Sequence, residues 1–154
     1  LDSDVGVFYK RRDLSRVVNG KNTIIEHTYM GSDVKDKDVL VVDDMIASGS
    51  SMLEVGKMLK EKGARKVYFI ATFALFTEGI EAFDKAYLDD TFDKLYTTNL
   101  SYIPKEFKDK PWFHTVDCSM NIAKIINALH NKESLTPLLN GKEKILKLRG
   151  EKTL

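Results

Sequence analysis

The stretch that most constrains the fold runs from Val39 to Ser51 (VLVVDDMIASGSS). Its first four residues are a continuous apolar run, the pattern of a central parallel strand covered on both faces. The acidic pair Asp43 and Asp44 follows, then a loop of small residues. An amphipathic run from Met52 to Lys62 comes next, with Met52, Val55 and Leu59 at helical spacing and Gly63 at its end. Strand, acidic pair, small-residue loop and helix in this order gather carboxylates and backbone N–H groups at one strand end, where open α/β sheets collect ligands.

The chemistry of that end divides in two. Along Ser48, Gly49, Ser50 and Ser51 the backbone can approach a ligand closely, and hydroxyls supplement the N–H donors of the coming helix, which suits a phosphate dianion. Asp43 and Asp44 would repel the same phosphate. Sugar hydroxyls suit them, as does a divalent cation such as Mg²⁺, which prefers oxygen ligands. A plainer alternative stays open on the residues alone: Ser51 caps the helix and the aspartates sit in a solvated turn.

The chain has 154 residues, enough for one domain (1–154) with a substantial core. Its 24 basic and 23 acidic residues leave a net charge of +1, which gives no basis for nucleic-acid or membrane-surface binding. The single cysteine, Cys118, excludes an internal disulfide framework and suits a reducing cytoplasm, the expected location. No apolar run reaches the roughly 18 residues of a spanning helix. The chain begins at Leu1, and strand-like residues follow almost at once, so we expect part of a longer two-domain polypeptide.

Other segments alternate between strand and helix patterns. Val5 to Tyr9 reads as a strand, the basic cluster Lys10, Arg11 and Arg12 as the start of a mobile loop through Asn22, and Thr23 to Met30 as a strand. Further strands are expected at Val67–Thr72, Lys94–Thr98 and Trp112–Val116, with helices at Thr77–Leu88, Ile122–Leu129 and Lys142–Arg149. The alternation indicates an α/β fold with a mainly parallel sheet flanked by helices. His27, His114 and His130 lack metal-ligand spacing, and Trp112 reads as a core anchor.

The Val39–Ser51 stretch resembles the phosphoribosyl-binding signature of the type I phosphoribosyltransferase fold. That resemblance implies ribose-hydroxyl contacts for Asp43 and Asp44, and a grip on the 5-phosphate by Ala47, Ser48, Gly49, Ser50 and Ser51. Phe8 to Asp13 (FYKRRD), Ala71-Thr72, Thr97 to Asn99 and Glu133 to Leu139 (ESLTPLL) stand in the order found in ribose-phosphate pyrophosphokinases. Membership there implies transfer of pyrophosphate from ATP to ribose 5-phosphate, with Mg²⁺ as cofactor and metal ligands unassigned. It implies catalytic cations at Lys10 and Arg12, with Arg11 assisting or facing solvent, and a homo-oligomer. Ser134 falls where that family binds a regulatory phosphate.

Two departures stand out: Ala47 replaces a usual acid, and Phe73 a common histidine. The family's amino-terminal half, with its ATP-binding elements, has no counterpart here, so the piece alone is expected to be inactive. The alternatives are a phosphoribosyltransferase acting on a nitrogenous base and a non-catalytic regulatory relative.

Overall fold

A computed structural model describes residues 3–18, 21–141, 145–146 and 148–150, with the backbone alone for 10–18 and 21–27. Strands β1 (Val7–Val18) and β2 (Lys21–Met30) form an antiparallel hairpin. Then β3 (Asp38–Ile46), β4 (Lys66–Ala74), β5 (Lys94–Thr98) and β6 (Phe113–Val116) lie side by side in chain order, all parallel. Helix α1 (Ser50–Glu61) joins β3 to β4, and α2 (Glu81–Leu88) joins β4 to β5. A 3-10 turn at Lys105–Asp109 precedes β6. Helices α3 (Ser119–His130) and α4 (Thr136–Leu139) follow it. The α/β class and its mainly parallel sheet are as the alternation predicts.

Each crossover joins immediate neighbours, and parallel crossovers share one hand, so α1 and α2 fall on the same face of the sheet. Burial follows that geometry. Val67, Phe69 and Ala71 of β4 are fully buried toward Met52, Val55 and Leu59 of α1 and Phe83 of α2. At the far side of this core, aromatic rings interlock. Phe76 lies 5.1 Å from Phe83 and 4.6 Å from Phe107, and Trp112 lies 5.8 Å from both Phe83 and Phe92. The Trp112 indole N–H donates to Asp84 at 2.9 Å, and Lys110 donates to the same carboxylate at 2.6 Å. Partial burial pushes the Asp84 carboxyl upward, but those two donors outweigh it and hold its pKa below 3.8. Trp112 is thus the core anchor that its composition suggests.

The structure corrects the reading of Val39 to Val42. Among the described residues β3 is an edge strand, and one face of the sheet is open. Leu40 is 47% exposed, Val42 69% and Val116 49%. Leu40 and Val116, with Tyr68, Ile70 and Tyr96, line a shallow apolar concavity of about 490 Å³. A continuous apolar run implies two covered faces only when partners exist for both, and here helices meet just one.

Lys10, Arg11 and Arg12 belong to β1, opposite His27, Glu26 and Ile24, and not to a loop. Register shifts at Arg11/Arg12 and Asp13/Val17 mark bulges, which explains why a polar strand of this kind reads as irregular. Asn19 and Gly20 lie outside the described residues. Helix α2 starts at Glu81, four residues later than the periodicity suggests, because Gly79 takes φ +82°. Helix α3 extends three residues earlier than expected. Of the expected helix at Lys142–Arg149, residues 145, 146 and 148 are helical, while 142–144 and 147 lie outside the described residues.

One buried polar atom stands out. Thr97 is 1% exposed, and its hydroxyl has no hydrogen-bond partner among the described residues. An unpaired buried hydroxyl carries its desolvation cost without return. Thr97→Val, which keeps the shape and removes the hydroxyl, is expected to raise stability by about 1 kcal/mol, read as a higher denaturation midpoint at unchanged slope.

Candidate functional site

The acidic pair and the small-residue loop do meet at the carboxyl end of β3. Asp43 and Asp44 are both exposed, and an Asp43 carboxylate oxygen accepts the Asp44 N–H at 2.9 Å. This local bond lies within β3, which continues to Ile46, and leaves the second Asp43 oxygen for a ligand. Asp44 offers a further carboxylate beside it.

The loop itself is held from behind. The Ile46 carbonyl accepts the N–H groups of Leu75, at 2.9 Å, and Phe76, at 3.3 Å, and the Ala47 carbonyl accepts the Thr77 N–H at 2.9 Å. Carbonyls that would repel an anion are thereby turned toward the segment after β4. Phe76 adopts φ +46° to make this turn, an unusual conformation for an aromatic residue, and its buried ring fixes it there.

Gly49 adopts φ +81° and stands at the start of α1, where its carbonyl accepts the Leu53 N–H at 3.0 Å. No side chain caps the helix from this position. The first turn of a 12-residue helix therefore presents N–H groups and the positive end of its dipole toward the loop. Ser48 and Ser50 bring their hydroxyl oxygens within 3.1 Å of each other beside it. Ser51 lies inside α1, so the reading of Ser51 as the helix cap is not what the fold uses. A Cβ at Gly49 would run into the Phe83 ring, so glycine is required twice, by conformation and by space.

Sequence reasoning missed the support behind the loop. The 75–77 clamp and the Phe83 ring are distant in sequence, and no spacing rule connects them to Gly49. It also passed over a network at the ends of β5 and β6. Asn99 donates to the Asp117 carboxylate at 2.8 Å and to the Ser119 hydroxyl oxygen at 3.0 Å, and its own oxygen accepts the Cys118 N–H at 2.9 Å. Hydrogen bonds from the Ser119 hydroxyl and N–H, then from Asn99, hold the Asp117 pKa below 3.8. Cys118, half-buried, is a structural member of this turn.

The basic cluster is placed differently from the loop. The Phe8 and Tyr29 rings lie 5.0 Å apart, tilted at 44°, at the base of the hairpin and pack against the core. The Lys62 ammonium lies 5.9 Å above the Tyr29 ring, so this base sits near the carboxyl end of α1. Gly49 is at the opposite end of that helix, about 18 Å away for 12 residues. The structure does not show Lys10 and Arg12 gathered with Asp43 and the loop. Among the described residues no group of three or more His, Cys, Asp or Glu could hold a metal. Asp43 and Asp44 alone fit a Mg²⁺ ion of the kind that takes one or two carboxylates and fills its shell with phosphate oxygens and water.

Fold and strand-end motif together define an α/β domain of the type I phosphoribosyltransferase kind. A family model described as the phosphoribosyl synthetase-associated domain matches residues 21–140, and the chain belongs to that family. It is 30% identical over 139 residues to the ribose-phosphate pyrophosphokinase of Haemophilus influenzae and 29% identical to that of Mycoplasma pneumoniae. These matches cover 90% of this chain but only 41% and 40% of those enzymes. A crystal structure of phosphoribosylpyrophosphate synthetase from Mycobacterium smegmatis superposes with a TM-score of 0.60 at 22% identity, over 70% of this chain and 34% of that one. It supports the fold.

Gly49→Ala tests the loop directly. Strain at the left-handed position and the collision with Phe83 are together expected to destabilise the protein by about 3 kcal/mol, measured by denaturant unfolding.

Proposed function

We propose that this chain is the ribose 5-phosphate-binding portion of a ribose-phosphate diphosphokinase, which transfers pyrophosphate from ATP to ribose 5-phosphate. The observation that carries the reading is the Asp43–Ser51 site itself. Exposed carboxylates for sugar hydroxyls adjoin a helix start that begins at a glycine and whose nearest carbonyls are tied back, an arrangement matched to a phosphorylated sugar. Family membership and the resemblance to named pyrophosphokinases support the choice among phosphoribosyl chemistries.

In this reaction the 1-hydroxyl oxygen of the ribose attacks the β-phosphorus of ATP. The bond from that phosphorus to the oxygen bridging to the α-phosphate breaks, AMP leaves, and the hydroxyl proton passes to solvent. Such a displacement needs alignment and charge neutralisation more than covalent help. Asp43 and Asp44 orient the ribose through its 2- and 3-hydroxyls. N–H groups and hydroxyls from Ala47 to Ser51 hold the 5-phosphate, which fixes the distance from loop to reacting oxygen. Lys10 and Arg12 neutralise the transferring phosphates when the β1–β2 hairpin bends toward the site. Mg²⁺, when bound, supplies further neutralisation of the nucleotide phosphates, with Asp43 and Asp44 as the carboxylates available to it. The setting is a cytoplasmic homo-oligomer.

A second reading is a non-catalytic relative that retains sugar-phosphate binding. Two observations favour it: Ala47 and Phe73 stand where the family commonly has an acid and a histidine, and the hairpin base lies far from the loop. Ribose 5-phosphate- and ATP-dependent AMP formation, assayed in the intact polypeptide with its ATP-binding half, separates the two readings, since only the first requires it.

Two substitutions test the division of labour. Asp43→Ala is expected to weaken ribose 5-phosphate binding by at least about tenfold in calorimetry, the loss of a charged hydrogen bond of 1.5–3 kcal/mol. Equal affinity in wild type and variant would remove the aspartate from the site. Lys10→Ala is expected to leave that affinity unchanged and to slow AMP formation by roughly a hundredfold, the size of one lost transition-state contact.

A further inference from the structure

The acidic pair is bordered by large apolar side chains that belong neither to the hydrophobic core nor to the reaction proposed above. Met45 follows Asp44 directly and is 45% exposed, and Phe73, its partner in register on β4, is 41% exposed. Leu75 and Leu100 are also exposed. The Ser101 hydroxyl accepts the Ala74 N–H and donates to the Ala74 carbonyl, both at 3.1 Å, which brings Leu100 beside this end of β4. Single exposed apolar residues are ordinary, but a group of them on the rim of a ligand site marks a contact surface.

The position of Phe73 relative to the acids is set by the sheet. Side chains alternate between faces along a strand, and residues in register on neighbouring strands share a face. Met45 therefore projects to the side of Asp43, and Phe73 stands beside Met45. Strand spacing and rise put the Cα atoms of Asp43 and Phe73 roughly 8 Å apart, a span that a ribose and the group on its 1-position can bridge. With the 2- and 3-hydroxyls on the carboxylates and the 5-phosphate on the Ser48–Ser51 loop, the 1-substituent is the end of the ligand left to meet other residues. An apolar ring offers nothing to a charged phosphate chain there, whereas it stacks readily on a planar base. Phe73 is also one of this chain's departures from the family's usual residues, so the feature is its own.

We infer that the Asp43–Ser51 site also takes a nucleoside 5-monophosphate, with the base lying against Phe73 and Met45, and that this nucleotide competes with ribose 5-phosphate. The inference rests on the sugar-phosphate reading of the site and extends it by the group carried at the 1-position. Phe73 is then a specificity residue: it adds affinity for ligands that carry a base and none for the bare sugar phosphate.

Titration calorimetry on this chain with ribose 5-phosphate and with guanosine 5-monophosphate tests it. The nucleotide is expected to bind at least about tenfold tighter, the gain from stacking one base on an aromatic ring, and to be displaced by excess ribose 5-phosphate. Phe73→Ser is expected to cut that preference about tenfold, and Phe73→Trp to keep it. Circular dichroism establishes that both variants fold, and the wild-type displacement decides the matter if Phe73→Ser does not. Ribose 5-phosphate binding with the nucleotide no tighter overturns the inference and leaves the sugar-phosphate reading standing. Binding of neither ligand removes that reading, and the inference with it. A preference indifferent to Phe73→Ser, or a nucleotide that binds together with ribose 5-phosphate, puts the base elsewhere and overturns the inference as well.

Discussion

The Phe83 ring pressed against Gly49 is the contact on which this structure turns. Phe83 is fully buried, edge-on to Phe76 and stacked on Trp112. The same ring closes the space behind the left-handed residue that starts α1. One side chain therefore joins the aromatic core to the ligand loop. Truncating such a ring ordinarily costs about 3–5 kcal/mol in the core, and here it would also free the loop. Rigidity at Ala47 to Ser51 comes from this packing and from the 75–77 backbone clamp more than from the loop's own small residues, which have little intrinsic preference for one shape.

The rest of the molecule is organised by one-sidedness. Strands joined only to their immediate neighbours, with crossovers of one hand, put both connecting helices on one face. That face holds nearly all of the buried apolar side chains, and the opposite face holds partly exposed tyrosines, valines and leucines. The ligand site escapes this asymmetry because it lies at the strand ends, where loops and the α1 terminus converge whichever face is covered. The hairpin is held at its base by Phe8, Tyr29 and Lys62, and its long strands run on from that anchor.

Much of the fold was legible because it depends on local alternation. The helix after Gly49 and the strands at Val67 and Lys94 follow from apolar runs and helical spacing, and each lies within a residue or two of its expected place, whereas the strand at Val39 runs four residues past Val42, through the acidic pair to Ile46. Misplacements fell where distant parts decide. The strand ending at Met30 was expected, but the continuation of β1 past Tyr9 to Val18 was hidden because a charged, bulged strand lacks a clean alternation. The start of α2 was set by a left-handed glycine inside an otherwise helical pattern. Of the site, Asp43, Asp44 and Gly49 could be named from their order alone. Leu75, Phe76, Thr77 and Phe83 could not, because they act through backbone carbonyls and ring packing that no spacing encodes.

The amino-acid sequence by itself determined that a parallel α/β domain would carry carboxylates, a small-residue loop and a helix start at one strand end. Period, polarity and the order of residues along the chain are enough to specify those. Tertiary structure alone decided which face of the sheet is covered and what braces the loop. It also decided that Lys10, Arg11 and Arg12 lie in a strand and not in a loop. Those outcomes depend on crossover hand and on contacts between residues tens of positions apart, where the energies of whole elements override local preference.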